Sequence, residues 1–475
     1  MRENRPKKRT AVIAIIVALA IVLGVGVGVV VATNMGGGMS PGGASDSMPV
    51  GGGSASGSVS GDDPSGGGSA PGGGAQPDSS TPQAPPKVEP PEDVTPRAYT
   101  AIAPPEEMRA MWISFLEWKE TDFSTEETLR AAFGQMLDNC AGLGLNTAIV
   151  AVRPFGDAYY PSAYYPWSDL LTGTQGADPG YDPLAVMIEE AHARGLRLEA
   201  WINPYRVKDT KNGPETLSAN NPAVVNPGWV RDVDGNLWYD PGLPEVREQI
   251  VNGVLEIVQG YDVDGIHFDD YFYPEFTAAQ KEAGTDIAFD EASYTQYGGG
   301  MGLGEWRRQN VSQMVQAVYA AVKAANPTAS FGISVQGNND NNYNTMHCDV
   351  RQWLAWDGYI DYIMPQLYWG FDYLTASGRD TYAFKRIAAE WAFYPRADSV
   401  RLYAGLGAYR IGVGDGGSND QAEWFTGHNL ADMVTALRSE PGFSGFALFR
   451  YEFLYWNDDP LAAQETAALA GRLAG

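Results

Sequence analysis

Residues 262–274 read DVDGIHFDDYFYP, placing four aspartates and a histidine around a short apolar run. Side chains alternate across a strand, so His267 and Asp269 share one face and Phe268 and Asp270 the other. Phe268 suits a face covered by helices, which directs His267 and Asp269 toward the opposite, inner side. A carboxylate turned inward is costly unless it is hydrogen-bonded or is itself the reactive group. Asp269 is therefore the first catalytic candidate. Asp270 and Asp264 fit turn caps that support the site, and His267 fits a group that orients Asp269. The chemistry suggested is glycosidic-bond cleavage, in which one carboxylate faces an oxocarbenium-like centre and a second carboxyl protonates the leaving oxygen.

The second carboxyl is expected from another strand end. In RLEAWINPYR, Glu199, Trp201 and Asn203 share a face, which makes Glu199 the expected general acid; Glu117, Asp157 and Asp340 remain open. Around these sit groups suited to a sugar, whose C–H faces lie on aromatic rings and whose hydroxyls bond to planar polar side chains. The segment RPFGDAYYPSAYYPW supplies Arg153, Asp157, Tyr159, Tyr165 and Trp167; any one of its tyrosines could equally be packing in a surface loop. Trp201, Asn203, Tyr205 and Arg206 follow, then Gln366, Tyr368 and Trp369, and finally Arg450. The chain has only 4 His, without short spacing, so neither a metal nor another cofactor is expected.

These residues fall at the ends of eight candidate strands at 109–115, 146–154, 197–204, 265–271, 330–337, 359–369, 401–410 and 445–453. Helix-period segments such as TEETLRAAFGQMLDNCAGLG and PEVREQIVNGVLEIVQGY lie between them. Alternation of this kind predicts a parallel sheet of βα units, and eight units predict a (β/α)8 TIM barrel, α/β in class, with function at the C-terminal strand ends. A doubly wound open sheet is the alternative. It more often shows a glycine-rich phosphate turn after the first strand, and none is seen.

Residues 1–10 carry five basic side chains, and residues 11–32 carry no charge. Such a run spans a hydrocarbon core of about 30 Å, and its basic flank keeps the N-terminus cytoplasmic. A transmembrane helix or signal anchor is expected over 11–33, with cleavage as a signal peptide the competing reading. Residues 34–97 are Gly, Ser and Pro-rich and read as a disordered linker with a root-mean-square span of roughly 45 Å. The barrel domain is expected over 98–475, extracytoplasmic and facing the cell wall. A formal net charge of −26 argues against nucleic acid as a ligand. Cys140 and Cys348 could pair or remain free thiols, and the sequence sets no oligomeric state.

The blocks EMRAMWIS, GLNTAIVAVRPFGDAYYPSAYYPWS, YDPLAVMIEEAHARGLRLEAWINPYR, DPGLPEVREQIVNGVLEIVQGYDVDGIHFDDYFYP and YIDYIMPQLYW resemble the glycoside-hydrolase-like family 10 of bacterial cell-envelope proteins. The resemblance covers about residues 105–455 and implies a TIM barrel that hydrolyses glycosidic bonds in cell-wall polysaccharide, with peptidoglycan glycan strands the leading substrate. The spacing of Gly265, His267 and Asp269 is similar to the nucleophile strand of α-amylase-like barrels. Asp264, Gly265 and Asp269 also match the chitinase-like Asp-Gly-x-Asp-x-Asp-x-Glu pattern, but Tyr271 stands at that pattern's acid. The resulting expectation is an anchored, exported glycoside hydrolase; a non-catalytic glycan-binding module and a metal-dependent hydrolase are the rivals. If residues 34–97 serve only as reach, deleting half of them should leave turnover by the purified domain unchanged while altering activity at the wall; lower turnover by the shortened, purified protein would contradict this.

Overall fold

The computed structural model describes residues 102–474. The expected transmembrane segment at 11–33 and linker at 34–97 lie outside them, and no helix among the described residues is long and apolar enough to cross a membrane. Eight parallel strands close into a barrel: β1 (Met108–Ile113), β2 (Thr147–Arg153), β3 (Arg197–Ile202), β7 (Gly265–Phe268), β8 (Ser330–Ile333), β9 (Tyr362–Ile363), β10 (Arg401–Gly407) and β11 (Phe443–Phe449). They follow one another around the barrel in chain order. The loop after β3 adds an antiparallel sheet of β4 (Arg206–Lys208), β5 (Val230–Val233) and β6 (Asn236–Tyr239), which the sequence did not suggest.

Local signals explain the helices that cover the barrel. The Glu126–Leu143 helix starts at a capping box between Thr125 and Thr128 and stops at Gly144, whose φ of 89° suits glycine. The Pro244–Gly260 helix begins with proline in its first turn and buries Val246, Ile250, Val254 and Ile257. Cys140 and Cys348 are both buried free thiols.

The barrel interior is filled with rings and polar groups rather than aliphatic side chains alone. Trp112 Nε1 donates to His267 Nε2 at 3.2 Å, and His267 Nδ1 meets the Tyr362 hydroxyl at 2.7 Å. That hydroxyl in turn donates to Glu199, which also accepts from Ser330 at 2.8 Å and pairs with Arg197 at 3.4 Å. Burial lowers the His267 pKa to about 3, so the ring is neutral. The directions then agree along the column: Nε2 accepts, Nδ1–H donates, and the tyrosine passes its own proton toward the carboxylate.

Glycine makes room for this column. A methyl group on Gly332 would fall inside the Tyr362 ring, and one on Gly405 would lie 3.0 Å from Trp112. Gly332→Ala should therefore destabilise the fold by about 1–3 kcal/mol through overpacking. Gly142, near the end of a helix with nothing within 4 Å of an added methyl, is the control. Gly142→Ala should raise stability by about 0.5–1 kcal/mol, and urea midpoints of the two variants should move in opposite directions.

Candidate functional site

Above this column β7 ends at Phe268, and Asp269 and Asp270 stand at its exit. Asp269 is 5% and Asp270 7% exposed, so each barely opens to solvent at the barrel mouth. Trp201 Nε1 donates to Asp269 Oδ2 at 3.0 Å, and Asn203 Nδ2 donates to Oδ1 and Oδ2 at 3.1 and 3.2 Å. The Asn203 amide is turned this way because its own oxygen accepts the Arg206 backbone N–H at 3.0 Å. On the other side, Gln366 Nε2 donates to Asp270 Oδ1 at 3.0 Å.

The two carboxyls thus splay, one held from β3 and the other from the end of β9. Alternation fails for Asp270 because the strand has already ended: instead of facing the helices, it joins Asp269 at the mouth. The expected role as a turn cap is corrected accordingly.

Burial, and then the charge of Asp270, push Asp269 up to about 7; burial also raises Asp270. Arg206 opposes both shifts. Its guanidinium lies 4.5 Å from the Tyr271 ring and 5.1 Å from Phe155, and it pairs with Asp209 at 2.6 Å. Two neighbouring carboxyls in a poorly solvated site hold a proton between them near neutrality. Asp269 accepts from the Trp201 indole, the Asn203 amide and the Tyr271 backbone N–H, the last at 3.4 Å, and Asp270 accepts from the side-chain amides of Gln366 and Gln336.

His267 does not touch Asp269. It lies one layer deeper, with Trp201 edge-on to it at 6.5 Å, and so acts on Asp269 through the indole. Glu199 also stands elsewhere than expected. It is fully buried, level with Gly265 in the β3–β7 register, and Trp201 is level with His267 one layer above. Sharing a strand face with Asn203 set its direction but not its height. Glu199 anchors the interior and is not positioned as an acid at the mouth.

The expected binding residues divide in the same way. Gln366, Trp201, Asn203 and Arg206 surround the pair, and Tyr368 lies within electrostatic reach of Asp270. Trp369 is half-buried and stacks on Tyr382 at 5.0 Å. The segment after β2 folds outward instead: Arg153 lies 4.2 Å from the Tyr165 ring beneath the Pro244–Gly260 helix. Tyr159 is fully buried against Trp118 and Phe123. Asp157 is buried and bonded by Gln175 at 2.9 Å, Trp167 packs half-buried against the core, and Tyr205 is buried beside Phe272. Arg450 bridges Glu117 and Glu452, both at 2.5 Å.

Tyr271 and Tyr382 were missed as site residues, whereas Phe155 belongs to the aromatic segment expected to bind. Tyr271 was legible as the residue following the aspartate pair, while Tyr382 is far in sequence from any strand end. Across the barrel from β7, the wall is aromatic, with Tyr409 6.1 Å from Phe449 and 5.5 Å from Tyr368. Among the described residues, no group of three or more His, Cys, Asp or Glu could hold a metal ion.

A closed parallel barrel with acidic side chains and aromatic rings at its C-terminal mouth defines the class. Residues 107–426 match the family described as Glycosyl hydrolase-like 10, and the chain belongs to that family. Glycosyl hydrolase YngK of Bacillus subtilis (strain 168) is 37% identical over 380 residues, 76% of this chain and 71% of that protein. Glycosyl hydrolase DigH of Escherichia coli (strain K12) is 33% identical over 401 residues, 77% and 87% of the two chains. The solved glycoside hydrolase domain of PgaB (BpsB) from Bordetella bronchiseptica aligns over 76% of this chain and 99% of its own, at 14% identity and a TM-score of 0.47. Family membership supports a glycoside-hydrolase-type activity on a carbohydrate substrate.

The raised pKa of Asp269 has a consequence for stability. Between the ordinary aspartate value of 3.8 and about 7, the unfolded chain is ionised while the folded pair of Asp269 and Asp270 keeps a proton. Folding then takes up a proton, and stability falls as pH rises through that window. Urea midpoints measured from pH 4 to 8 should fall less steeply for Asp269→Asn than for the unaltered protein; equal slopes would contradict the raised value.

Proposed function

We propose that this protein is an exported glycoside hydrolase that cleaves glycosidic bonds in bacterial cell-wall glycan, foremost the glycan strands of peptidoglycan, and that residues 11–33 hold it at the cytoplasmic membrane. The observation that supports this reading is the splayed, desolvated pair Asp269 and Asp270 at the mouth, flanked by Trp201 and Tyr368. Asp269, with its fixed donors, is the anionic partner of the oxocarbenium-like transition state. Asp270 carries the proton delivered to the leaving oxygen and, once ionised, activates water. Sugar rings rest on the aromatic walls, while Gln366 and Asn203 set the orientation of the two carboxyls.

Turnover of peptide-free glycan strands tests the proposal. Asp269→Asn and Asp270→Asn should each lower it by about 10²–10⁴-fold while leaving glycan binding nearly intact. Trp369→Ala should weaken binding by roughly 1–3 kcal/mol if its ring stacks on a sugar. Glu199→Gln should lower stability, because Tyr362, Ser330 and Arg197 all direct donors at that carboxyl. Its folded fraction should still cleave glycan. Binding without turnover in the unaltered protein would instead indicate a glycan-recognition module, and near-normal turnover in either aspartate variant would remove that residue from the mechanism.

A further inference from the structure

Past the end of β8 the chain reads VQGNNDNNYN, residues 335–344. Asn338 caps a short helix, Asn339–Asn344, by accepting Asp340 N at 3.0 Å and Asn341 N at 3.4 Å, and its Nδ2 donates to the Tyr382 hydroxyl at 2.9 Å. The helix so fixed presents two amides to Gln336. Asn342 is fully buried; its Oδ1 accepts Gln336 N at 3.0 Å and its Nδ2 donates to Gln336 O at 2.8 Å, which holds both backbone groups as a neighbouring strand would. Asn341 Nδ2 donates to Gln336 Oε1 at 3.2 Å.

Gln336 also pairs in parallel with Gln366. Partners across such a pair put their side chains on the same face, so the two glutamine amides stand side by side. Both are bonded to Asp270, Gln366 through its Nε2 at 3.0 Å. A side-chain amide has one accepting and one donating corner. With its oxygen held by Asn341, Gln336 offers its NH2 to Asp270, just as Arg206 N turns the Asn203 amide toward Asp269.

We infer that Asn341 is a positioning residue for Asp270, acting through Gln336: it fixes which corner of the Gln336 amide faces the carboxyl. The inference rests on the hydrolase reading, in which Asp270 is the acid, and adds a residue of the segment after β8 that sets how tightly that acid holds its proton. A glutamine amide has nearly the same shape either way round. Turned over, it would point its oxygen at Asp270 and favour the protonated carboxyl. Two donors do the reverse, stabilising the anion left once the proton has gone to the leaving oxygen. The titratable and charged groups facing Asp270 are Asp269 and Tyr271 beside it, Arg206 after β3, Glu275 in the loop beyond, Cys348, and Tyr368 after β9. All of them stay in place in Asn341→Ala and Gln336→Met, which change no charge.

The test follows the Asp270 carboxyl by NMR in full-length protein labelled with 13C at the aspartate side chains, its resonance identified by its absence from Asp270→Asn. Asn341→Ala frees the amide to turn, and Asp270 should then bind its proton about three- to tenfold more tightly. Gln336→Met removes the donor and should tighten the proton by about tenfold or more, the scale of one hydrogen bond to an ionised group. Asn341→Ala added to Gln336→Met should change nothing further. Asn341→Asp keeps the side-chain shape and serves if Asn341→Ala does not fold: it makes position 341 an acceptor, and its effect should be larger with Gln336 present than in Gln336→Met, where charge alone acts. In the active enzyme the alkaline limb of kcat/KM should move to higher pH in the same variants. An unchanged titration in Asn341→Ala, or the same shift with Gln336 already replaced, overturns the inference. A protein that cuts no glycan strand would fail the hydrolase reading, while the titrations would still decide whether Asn341 acts on Asp270.

Discussion

Asp269 is a carboxylate held at the top of a closed barrel by donors that cannot change sign. Indole and amide N–H groups offer only protons in the directions they point, so the pocket favours negative charge at a place where burial opposes it. That conflict dictates the surroundings. Trp201 must be supported from below, where His267 sits edge-on; His267 needs its own partners, Trp112 and Tyr362; and Tyr362 needs an acceptor, Glu199. A half-satisfied chain of this kind is less favourable than an apolar core, whereas this column has a donor or acceptor for every ring nitrogen and hydroxyl along it.

The same conflict couples stability to function. A folded state that retains a proton on one of two adjacent carboxyls holds an acid and an anion side by side at the mouth. Arg206, sandwiched between Phe155 and Tyr271, moderates the charge without touching the reacting edge. The antiparallel β4–β6–β5 sheet has its place here because it extends the segment that carries Arg206.

Much of the fold was legible because strand and helix periods differ. All eight barrel strands overlap the apolar runs of the sequence, although β1 and β11 begin one and two residues earlier and β7, β8 and β9 are shorter than their runs. The site was legible where alternation suffices: Trp201, Asn203 and Asp269 share an inward face. It was illegible where height or strand length decides. Glu199 points inward but two residues too low, and Asp270 escapes alternation because β7 ends before it. Arg153, Tyr159 and Tyr165 look like a binding cluster in sequence; the chain after β2 turns back over the barrel wall and buries them, a long-range event with no local signal.

Ile102 is tied to the base of the barrel, donating its N–H to Asp264 Oδ1 at 2.7 Å and accepting at its carbonyl from Arg197. Asp264 also receives Leu198 N at 2.7 Å and lies 2.9 Å from His192. In mechanical terms this is a clamp. A pull transmitted along the chain toward residue 102 loads buried hydrogen bonds at the strand starts, on the side away from the aspartate pair. The mouth loops bear none of that load directly, and the open end is left free to meet a substrate on the far side.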